Sequence, residues 1–431
     1  GMLMSFKFDV QAVREQFPAC SKLIDATPIA YLDGPGGTQV PQRVLDAIVG
    51  YLVNDNANED GQFEASRKAN PIEFEARRAA ADFLGCSPEE IGFNCSSTQN
   101  CYNMAMNLSK KFKPGDEIMI SQIDHQCNIA PWQSLERYGC VIKWIKLDTE
   151  KQELDFEDFK SKLSDKTKLV AINWASNGLG TITDVKKYIA EAHKFGAITV
   201  IDAVHYAAHE PIDVKDIDTD ILVCSAYKWF GPHVGVTYMK EELIAATDFS
   251  NAGAEDVAEG ARKFHMGTPQ YEHLCGVTEA VNFIASVGEK YADCFADRLE
   301  GLEGRRRNVV AGMTAFSAYE SPLGEKLRRN LRRIEGVNLY GPSEETPRTP
   351  TVVFTMDNYT PEFVAKVLGS KAINSWNGDF YAIEPLKALG LLETGGVVRL
   401  GLAPYCTEGD IDRTISTIAS IAAGDYDDFA E

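Results

Sequence analysis

The chain has 431 residues, of which 44% are apolar and 25% are charged, a composition typical of a globular protein with two or three domains. Its formal net charge of −20 argues against a nucleic-acid partner, because a polyanion needs a basic surface and the one dense basic cluster, at 305–307, is short. We find no signal peptide and no apolar run long enough to cross a bilayer, so we expect a cytoplasmic protein without a membrane partner.

Several motifs that would define other functional classes are missing from the sequence. The ten cysteines are scattered singly without a CxxC pair, so we expect neither a metal site nor a disulfide framework. The glycine-rich stretch at 34–37 does not fit the GxGxxG pattern, and the Walker A, HExxH and GxSxG patterns do not occur. The sequence therefore lacks the motifs that usually indicate a nicotinamide-dependent enzyme, a nucleotide hydrolase or a serine hydrolase.

Helical and strand patterns alternate between about residues 70 and 240. Short apolar runs bounded by polar or turn residues indicate buried strands, and the helices between them indicate parallel βαβ units. The predicted strands cover 91–93, 117–121, 141–146, 169–173, 198–202, 221–224 and 234–239, and the predicted helices cover 71–84, 99–112, 129–137, 156–163 and 185–195.

The pattern changes after residue 276 to a long helical region (277–333), then short strands at 337–340, 351–355 and 397–402 and helices at 361–368 and 408–422. This order is typical of a separate α+β domain. We therefore predict an α/β protein with a mainly parallel sheet in a large domain over residues 31–280. A smaller α+β C-terminal domain covers residues 281–431, and residues 1–30 form an N-terminal segment that packs on the small domain.

Two functional side chains follow neighbouring predicted strands. Asp202 ends the strand 198–202, and Lys228 follows the strand 221–224. Open α/β sheets bind ligands at the carboxyl ends of their strands. An acid and a lysine at that edge suit pyridoxal phosphate (PLP), since the lysine amine forms the Schiff base and the carboxylate keeps the pyridine nitrogen protonated. The alternative is a strand-end aspartate and a solvated lysine.

A phosphate site is predicted where the strand 91–93 leads into the helix that follows. Ser97 and Thr98 lie at the start of that helix, where backbone N–H groups and the helix dipole favour an anion. Ser225, three residues before Lys228, could add a hydroxyl to the same phosphate. The alternative is an ordinary helix N-cap.

Two histidines and an arginine complete the candidate set. His125 follows the strand 117–121 and could stack on a pyridine ring, and His205 could reach the cofactor's phenolic oxygen; capping, surface or helix-face roles are the alternatives. Arg399 lies inside a short apolar strand, where an unpaired charge is costly. A substrate carboxylate would satisfy it, with the amide of Asn177 assisting, and an internal acid is the alternative.

These residues resemble the class V branch of fold-type I PLP enzymes, the aminotransferase class V group, and most of all its cysteine desulfurases and isopenicillin-N-epimerase-like proteins. The resemblance extends over nearly the whole chain. Its most specific parts are the DAVH stretch at 202–205, the SAYK stretch at 225–228, the DHQCNIAPW stretch at 124–132 and the SNGLG stretch at 176–180.

The resemblance implies a fold-type I PLP transferase fold and a role for each candidate. Lys228 would be the Schiff-base lysine, Asp202 the partner of the pyridinium nitrogen, and His125 the ring that stacks on the cofactor. His205 stands where the family often has Gln. The resemblance also implies a homodimer with shared active sites, because the Gly-Thr element at 267–268 resembles one whose threonine, here Thr268, completes the neighbouring subunit's phosphate site. Ser97, Thr98 and Ser225 would hold the phosphate, and Asn177 and Arg399 the substrate carboxylate.

One departure from the desulfurase pattern affects the predicted reaction. Desulfurases carry a nucleophilic cysteine on a loop shortly before the strand of the carboxylate-binding arginine, whereas residues 371–398 of this chain contain no cysteine. Tyr227 also replaces the histidine that usually precedes the lysine. We therefore predict a PLP-dependent epimerase, transaminase or lyase acting at the α-carbon of an amino acid. The alternatives are a desulfurase that uses another cysteine, with Cys127 as the candidate, and a non-catalytic PLP-binding sulfur-transfer scaffold.

Overall fold

A seven-stranded sheet organises the computed structural model, which describes residues 5–250 and 260–427. The strand order is β1-β7-β6-β5-β4-β2-β3, where β2 to β6 are parallel to one another and β7 is antiparallel to both β6 and β1. The mainly parallel sheet confirms the predicted α/β class. The strands are β1 (Ile91–Asn94), β2 (Glu117–Ser121), β3 (Val141–Ile145), β4 (Thr167–Asn173), β5 (Ile198–Asp202), β6 (Ile221–Ser225) and β7 (Gly235–Met239).

Helices cover both faces of this sheet, which explains why its central strands are mostly apolar. Along β6, Leu222 belongs to one buried cluster, whereas Ile221 and Val223 belong to another. Successive side chains of a strand point to opposite faces, so both faces exclude water. The helices are α1 (Val10–Arg14), α2 (Gln42–Gly50), α3 (Glu64–Leu84), α4 (Ser97–Leu108), α5 (Ala130–Gln133), α6 (Phe156–Lys162), α7 (Val185–His193), α8 (Val214–Ile217), α9 (Glu241–Ala245), α10 (Tyr271–Tyr291), α11 (Gly304–Arg332), α12 (Pro361–Ser370), α13 (Ile383–Ala388) and α14 (Glu408–Ala422).

A second, antiparallel sheet of four strands follows in the C-terminal part of the chain. Its order is β8-β9-β11-β10. Three of these strands lie where the sequence predicts them, but β10 lies in a stretch without a strand pattern. The strands are β8 (Val337–Tyr340), β9 (Thr351–Met356), β10 (Trp376–Gly378) and β11 (Val397–Gly401).

The N-terminal segment contacts the helices of the C-terminal half. The ring of Phe8 stacks on those of Tyr291 in α10 and Tyr319 in α11, and Arg14 donates to the backbone carbonyl of Tyr405. The division into three parts, with the packing of residues 1–30 on the small domain, stays a prediction. None of the helices in the two described ranges combines the length and apolar character that a membrane span requires.

Two predicted helix boundaries are wrong. Helix α3 begins at Glu64 instead of Pro71 and runs through the proline, because its early turns are held by packing: Ser66 is buried and its hydroxyl accepts from the N–H of Gly61. The long helical region at 277–333 is two helices, α10 and α11, and Gly301 adopts a φ of +77° in the segment between them. Such a backbone angle cannot continue a helix and favours glycine.

Candidate active site

Neighbouring strand ends bring Asp202 and Lys228 to one cavity. Asp202 is the last residue of β5 and pairs in register with Val223 of β6. Lys228 follows β6 by three residues, at the end of a short helical turn that starts at Ala226. Both side chains line the same cavity, together with those of Ser97, His125 and Ser225. The sheet topology thus gathers the side chains that the sequence pattern singles out.

Asp202 is buried in this cavity and is only 4% exposed. Its Oδ1 accepts from the N–H of Val204 at 2.9 Å, and its Oδ2 lies 3.5 Å from the thiol of Cys127. Burial raises the pKa of Asp202, whereas these hydrogen bonds and the charge of Lys228 lower it. A cationic group in the cavity would therefore find a desolvated carboxylate with few competing donors.

The amine of Lys228 is also held in a poorly solvated position. Burial, and then the positive charge of Arg399, lower the pKa of Lys228 from 10.5 to about 7. Its Nζ donates to the backbone carbonyl of Pro35 and lies 5.1 Å from the ring centre of Tyr227. A lysine with this pKa is partly neutral near pH 7, as a nucleophilic or basic amine must be.

His125 precedes a short helical turn just beyond β2. Its Nδ1 accepts from the N–H of Cys127 at 2.9 Å. Burial, followed by the charges of Lys228 and Arg399, lowers the pKa of His125 to about 4. The ring is therefore neutral at pH 7, and a neutral flat ring can stack on another aromatic ring without adding a charge to the cavity.

Two serines hold the start of α4 against the end of β6. The hydroxyl of Ser97 contacts that of Ser225 and donates to the carbonyl of Cys224 at 2.8 Å. Ser96 is the N-cap and accepts from the N–H of Gln99, and Thr98 is exposed one residue into the helix. Ser96, Ser97 and Thr98 all line the cavity, so hydroxyls and the helix N-terminus meet where an anion would be stabilised.

Arg399 and Asn177 meet at the interface between the two sheets. Arg399 lies in the middle of β11, and its Nη1 donates to the backbone carbonyl of Asn177 at 2.9 Å. Its Nε is buried and has no hydrogen-bond partner among the described residues, and the same holds for Oδ1 of Asn177. Burial lowers the pKa of Arg399 to about 9. No acid in the described ranges pairs with this arginine, which disfavours the internal ion pair as its explanation.

A family model describes residues 30–300 and 309–414 of the chain, and its description is aminotransferase class V. The chain belongs to the aminotransferase class-V family. This confirms the predicted resemblance, and with it a PLP-dependent enzyme that acts on an amino-acid substrate as the general function.

Individual relatives of this class-V protein carry two kinds of name. A probable cysteine desulfurase from Synechocystis is 30% identical over 437 residues, which cover 97% of each chain. The aminotransferase-like protein FGM3 from Gibberella zeae is 30% identical over 433 residues, which cover 97% of this chain and 100% of that protein. The apo structure of a cysteine desulfurase from Thermococcus onnurineus superposes with a TM-score of 0.84 at 26% identity, over 97% of this chain and 99% of that one.

The cavity of this class-V protein fits the PLP that the family uses. Lys228 has an amine of lowered pKa, and Asp202 has a buried carboxylate to which no cationic side chain of the described ranges lies at hydrogen-bond distance. The hydroxyls of Ser97 and Ser225 stand at a helix N-terminus for the phosphate. The described residues form no cluster of three or more His, Cys, Asp or Glu side chains suited to a metal ion.

Of two further predicted cofactor residues of this class-V chain, His205 lies at the cavity and Thr268 lies outside it. His205 lines the cavity, but its Nε2 lies 2.8 Å from the hydroxyl of Thr349, so that only Nδ1 is left to face a cofactor. Thr268 does not line the cavity; it is exposed and borders a separate surface pocket near Asn94. An exposed threonine outside its own chain's cavity is compatible with a role in a partner subunit.

A segment just before the arginine strand, to which sequence reasoning assigned no role for an individual residue, covers the arginine side of the site. This segment, residues 376–382, is called the strap. The ring centre of Phe380 lies 3.8 Å from the guanidinium carbon of Arg399, and the carbonyl of Phe380 accepts from the amide of Asn177 at 3.0 Å. The next carbonyl, of Tyr381, accepts from the N–H of Gln126 at 2.9 Å. The strap carries no sequence motif. Its position over Arg399 depends on contacts between residues that are distant in sequence.

Proposed function

We propose that this protein binds PLP in the cavity and uses Lys228 to remove the α-proton of an amino-acid substrate, as an epimerase, a transaminase or a lyase. The observation that carries this proposal is the lysine amine of pKa about 7 in the same cavity as the buried carboxylate of Asp202. A base is most effective when its pKa lies near the working pH.

Each residue would have a separate task at the cofactor. When bound, PLP supplies an electron-withdrawing ring that stabilises negative charge at the substrate's Cα. Asp202 would hold the proton on the ring nitrogen, because a buried carboxylate stabilises a neighbouring cation strongly. His125, neutral at pH 7, would stack on the ring. Ser97, Thr98 and Ser225 would bind the phosphate, and His205 would face the phenolic oxygen through Nδ1.

Lys228 would serve both as the attachment point and as the base. Its Nζ accepts a proton readily only when neutral, and burial together with the charge of Arg399 lowers its pKa so that the neutral form is available near pH 7. Arg399 would bind the substrate carboxylate, and Asn177 would assist. The three reaction types differ in what would follow proton removal: in an epimerase Cα would regain a proton, in a transaminase it would not, and in a lyase the substrate would lose a leaving group from its β-carbon.

A desulfurase reaction is the second candidate, favoured by the names of relatives such as the Synechocystis protein. The chain's own residues count against it. The strap contains no cysteine, and Cys127, the thiol beside Asp202, is buried. Burial and the carboxylates of Asp202 and Asp124 raise the pKa of Cys127 well above its ordinary value. Because the thiolate is the nucleophile, Cys127 is poorly suited to attack a substrate sulfur.

A non-catalytic PLP-binding scaffold is the remaining alternative. Such a protein would need the lysine and the phosphate site but not an arginine for the substrate. The buried Arg399, whose Nε has no partner among the described residues, argues for a working substrate site, because an unpartnered buried donor is costly to keep.

A homodimer is part of the proposal. Thr268 would complete the phosphate site of the partner subunit, and its exposure supports this role. Apolar side chains exposed on α2 and α4, including Val49 and Met106, offer surface for such contacts. A cytoplasmic location remains a prediction.

The proposed function is tested by exchange of the substrate's α-hydrogen with deuterated water. The PLP-loaded protein is incubated with a panel of L-amino acids, and deuterium at Cα is measured by NMR or mass spectrometry. We expect exchange with one or a few amino acids, loss of exchange in Lys228→Ala, and no change in Lys22→Ala, which alters an exposed lysine. Exchange that persists in Lys228→Ala would refute the role of the lysine, and sulfide release from cysteine would favour the desulfurase.

A further inference from the structure

The strap is attached to the rest of the molecule at three places. At its start, the indole N–H of Trp376 donates to the carbonyl of Asp33 at 2.9 Å. In its middle, the carbonyls of Phe380 and Tyr381 accept from Asn177 and from the N–H of Gln126. At its end, Ala382 packs so closely on Gly178 that a Cβ there would lie 2.7 Å from the Ala382 Cβ. The strap is therefore held in one position over Arg399.

Phe380 contacts Arg399 in a way that leaves the arginine's donors free. All the N–H groups of a guanidinium point outward in its plane, whereas Phe380 lies against the group with its ring centre 3.8 Å from the central carbon. One in-plane donor, Nη1, is used by the carbonyl of Asn177. The opposite edge carries Nε, which is buried without a partner among the described residues. That edge can receive both oxygens of a carboxylate.

Backbone geometry indicates that the ring is placed there at a cost. Phe380 and Tyr381 adopt φ values of +56° and +59°, in a region of backbone conformation that residues other than glycine rarely occupy. Such conformations persist when the surrounding contacts enforce them, and they are concentrated at functional sites. Of the two rings, that of Phe380 lies against the guanidinium of Arg399. The ring centre of Tyr381 instead lies 5.6 Å from that of His125.

We propose that Phe380 is a specificity-determining residue, which positions Arg399 for a substrate carboxylate. The ring restricts the guanidinium to the orientation in which the Nε edge is presented, and it excludes water from one face of the charge. An arginine ordered in advance loses less freedom when it binds a carboxylate. This inference rests on the proposed function, because it assumes that Arg399 binds the substrate.

The preference for a carboxylate over an amide of the same shape measures this effect without turnover. Propionate and propionamide both lack an amino group, so neither can react through the cofactor. Their dissociation constants are measured by ligand-observed NMR on the PLP-loaded protein, in wild type and in Phe380→Ala, Phe380→Leu and Tyr381→Ala. The Tyr381 variant is the matched control, because it removes an aromatic side chain from the adjacent residue with the same backbone conformation.

We expect wild type to prefer propionate and both Phe380 variants to lose about 30-fold of that preference, the size of a desolvated cation–π contact. Phe380→Leu keeps an apolar side chain without a π face, so it supports the assignment even if the alanine variant is poorly folded. Tyr381→Ala should retain the wild-type preference. An unchanged preference in both Phe380 variants would overturn the inference and leave the proposed function intact. Equal binding of the two probes by wild type would overturn both.

Discussion

Replacing Lys228 by methionine should stabilise the cofactor-free protein while abolishing its activity. The pKa of Lys228 is lowered from 10.5 to about 7, mainly by burial, which corresponds to about 5 kcal/mol between the charged and neutral forms. Methionine has a similar length and carries no charge. The substitution therefore removes the cost of burying the amine and keeps most of the packing.

The size of this gain depends on pH in a defined direction. Between about pH 7 and pH 10.5 the unfolded chain holds a proton on Lys228 that the folded protein has released, so the stability of wild type rises with pH over this window. The cost of the lysine is about 4 kcal/mol at pH 7 and less than about 1 kcal/mol at pH 10. Loss of the hydrogen bond to Pro35 offsets about 1 kcal/mol, so the net gain at pH 7 is about 3 kcal/mol.

Thermal unfolding of the cofactor-free protein at pH 7 and pH 10 measures this gain. For 431 residues, an unfolding entropy of about 2 cal/mol/K per residue converts it into a rise in Tm of roughly 3 °C at pH 7. At pH 10 the rise should disappear. Lys22→Met, which changes an exposed lysine, is the control and should leave Tm unchanged at both pH values. A rise of the same size at both pH values, or a lower Tm at pH 7, would refute the assignment of a desolvated amine.

Three further substitutions test the site. Asp202→Asn should leave PLP bound but slow α-hydrogen exchange by about 100-fold or more, since loss of a proton-holding group typically costs that much; an unchanged exchange rate would contradict the role of the carboxylate. Arg399→Ala should raise KM for amino acids by about 10- to 100-fold, the value of a hydrogen bond to a charged group, and spare PLP binding measured by absorbance; loss of the folded state, seen by circular dichroism, would instead indicate a structural charge. Mixing Thr268→Ala subunits with Lys228→Ala subunits tests whether each active site contains residues of both subunits. If Thr268 serves the partner, the mixed dimer holds one site in which both residues are intact. The phosphate affinity of that site should then differ from that of either parent dimer. Parent-like affinity at every site would argue against sharing.

The sequence pattern predicts the parts of the candidate site that lie at strand ends. Asp202, Lys228 and His125 follow strands whose apolar runs are unbroken, because both faces of the sheet are covered by helices. A strand of this kind is recognisable from a few residues, and its carboxyl end is a fixed place in the fold. The start of α4 at Ser97 was predicted within two residues for a similar reason, since an N-cap has a local signature.

The strap could not be recognised in this way. Strand β10 has three residues that are half-buried or exposed, so it shows no alternation of apolar and polar side chains. The conformation of Phe380 depends on Asn177 and Arg399, which are 203 and 19 residues away along the chain. Burial and the neighbouring carboxylates, which raise the pKa of Cys127, are also properties of the folded environment and not of the residue.

The sequence by itself determined the alternation of strands and helices, the α/β class and the choice of a candidate lysine, acid and arginine, because these depend on local periodicity and on residue type. Only the tertiary structure decided which groups share a cavity, which donors lack partners and how far burial changes each pKa. The physical reason is that desolvation and unpaired hydrogen bonds arise between segments distant in sequence. The pKa of about 7 at Lys228 and the ring of Phe380 against Arg399 both have that origin.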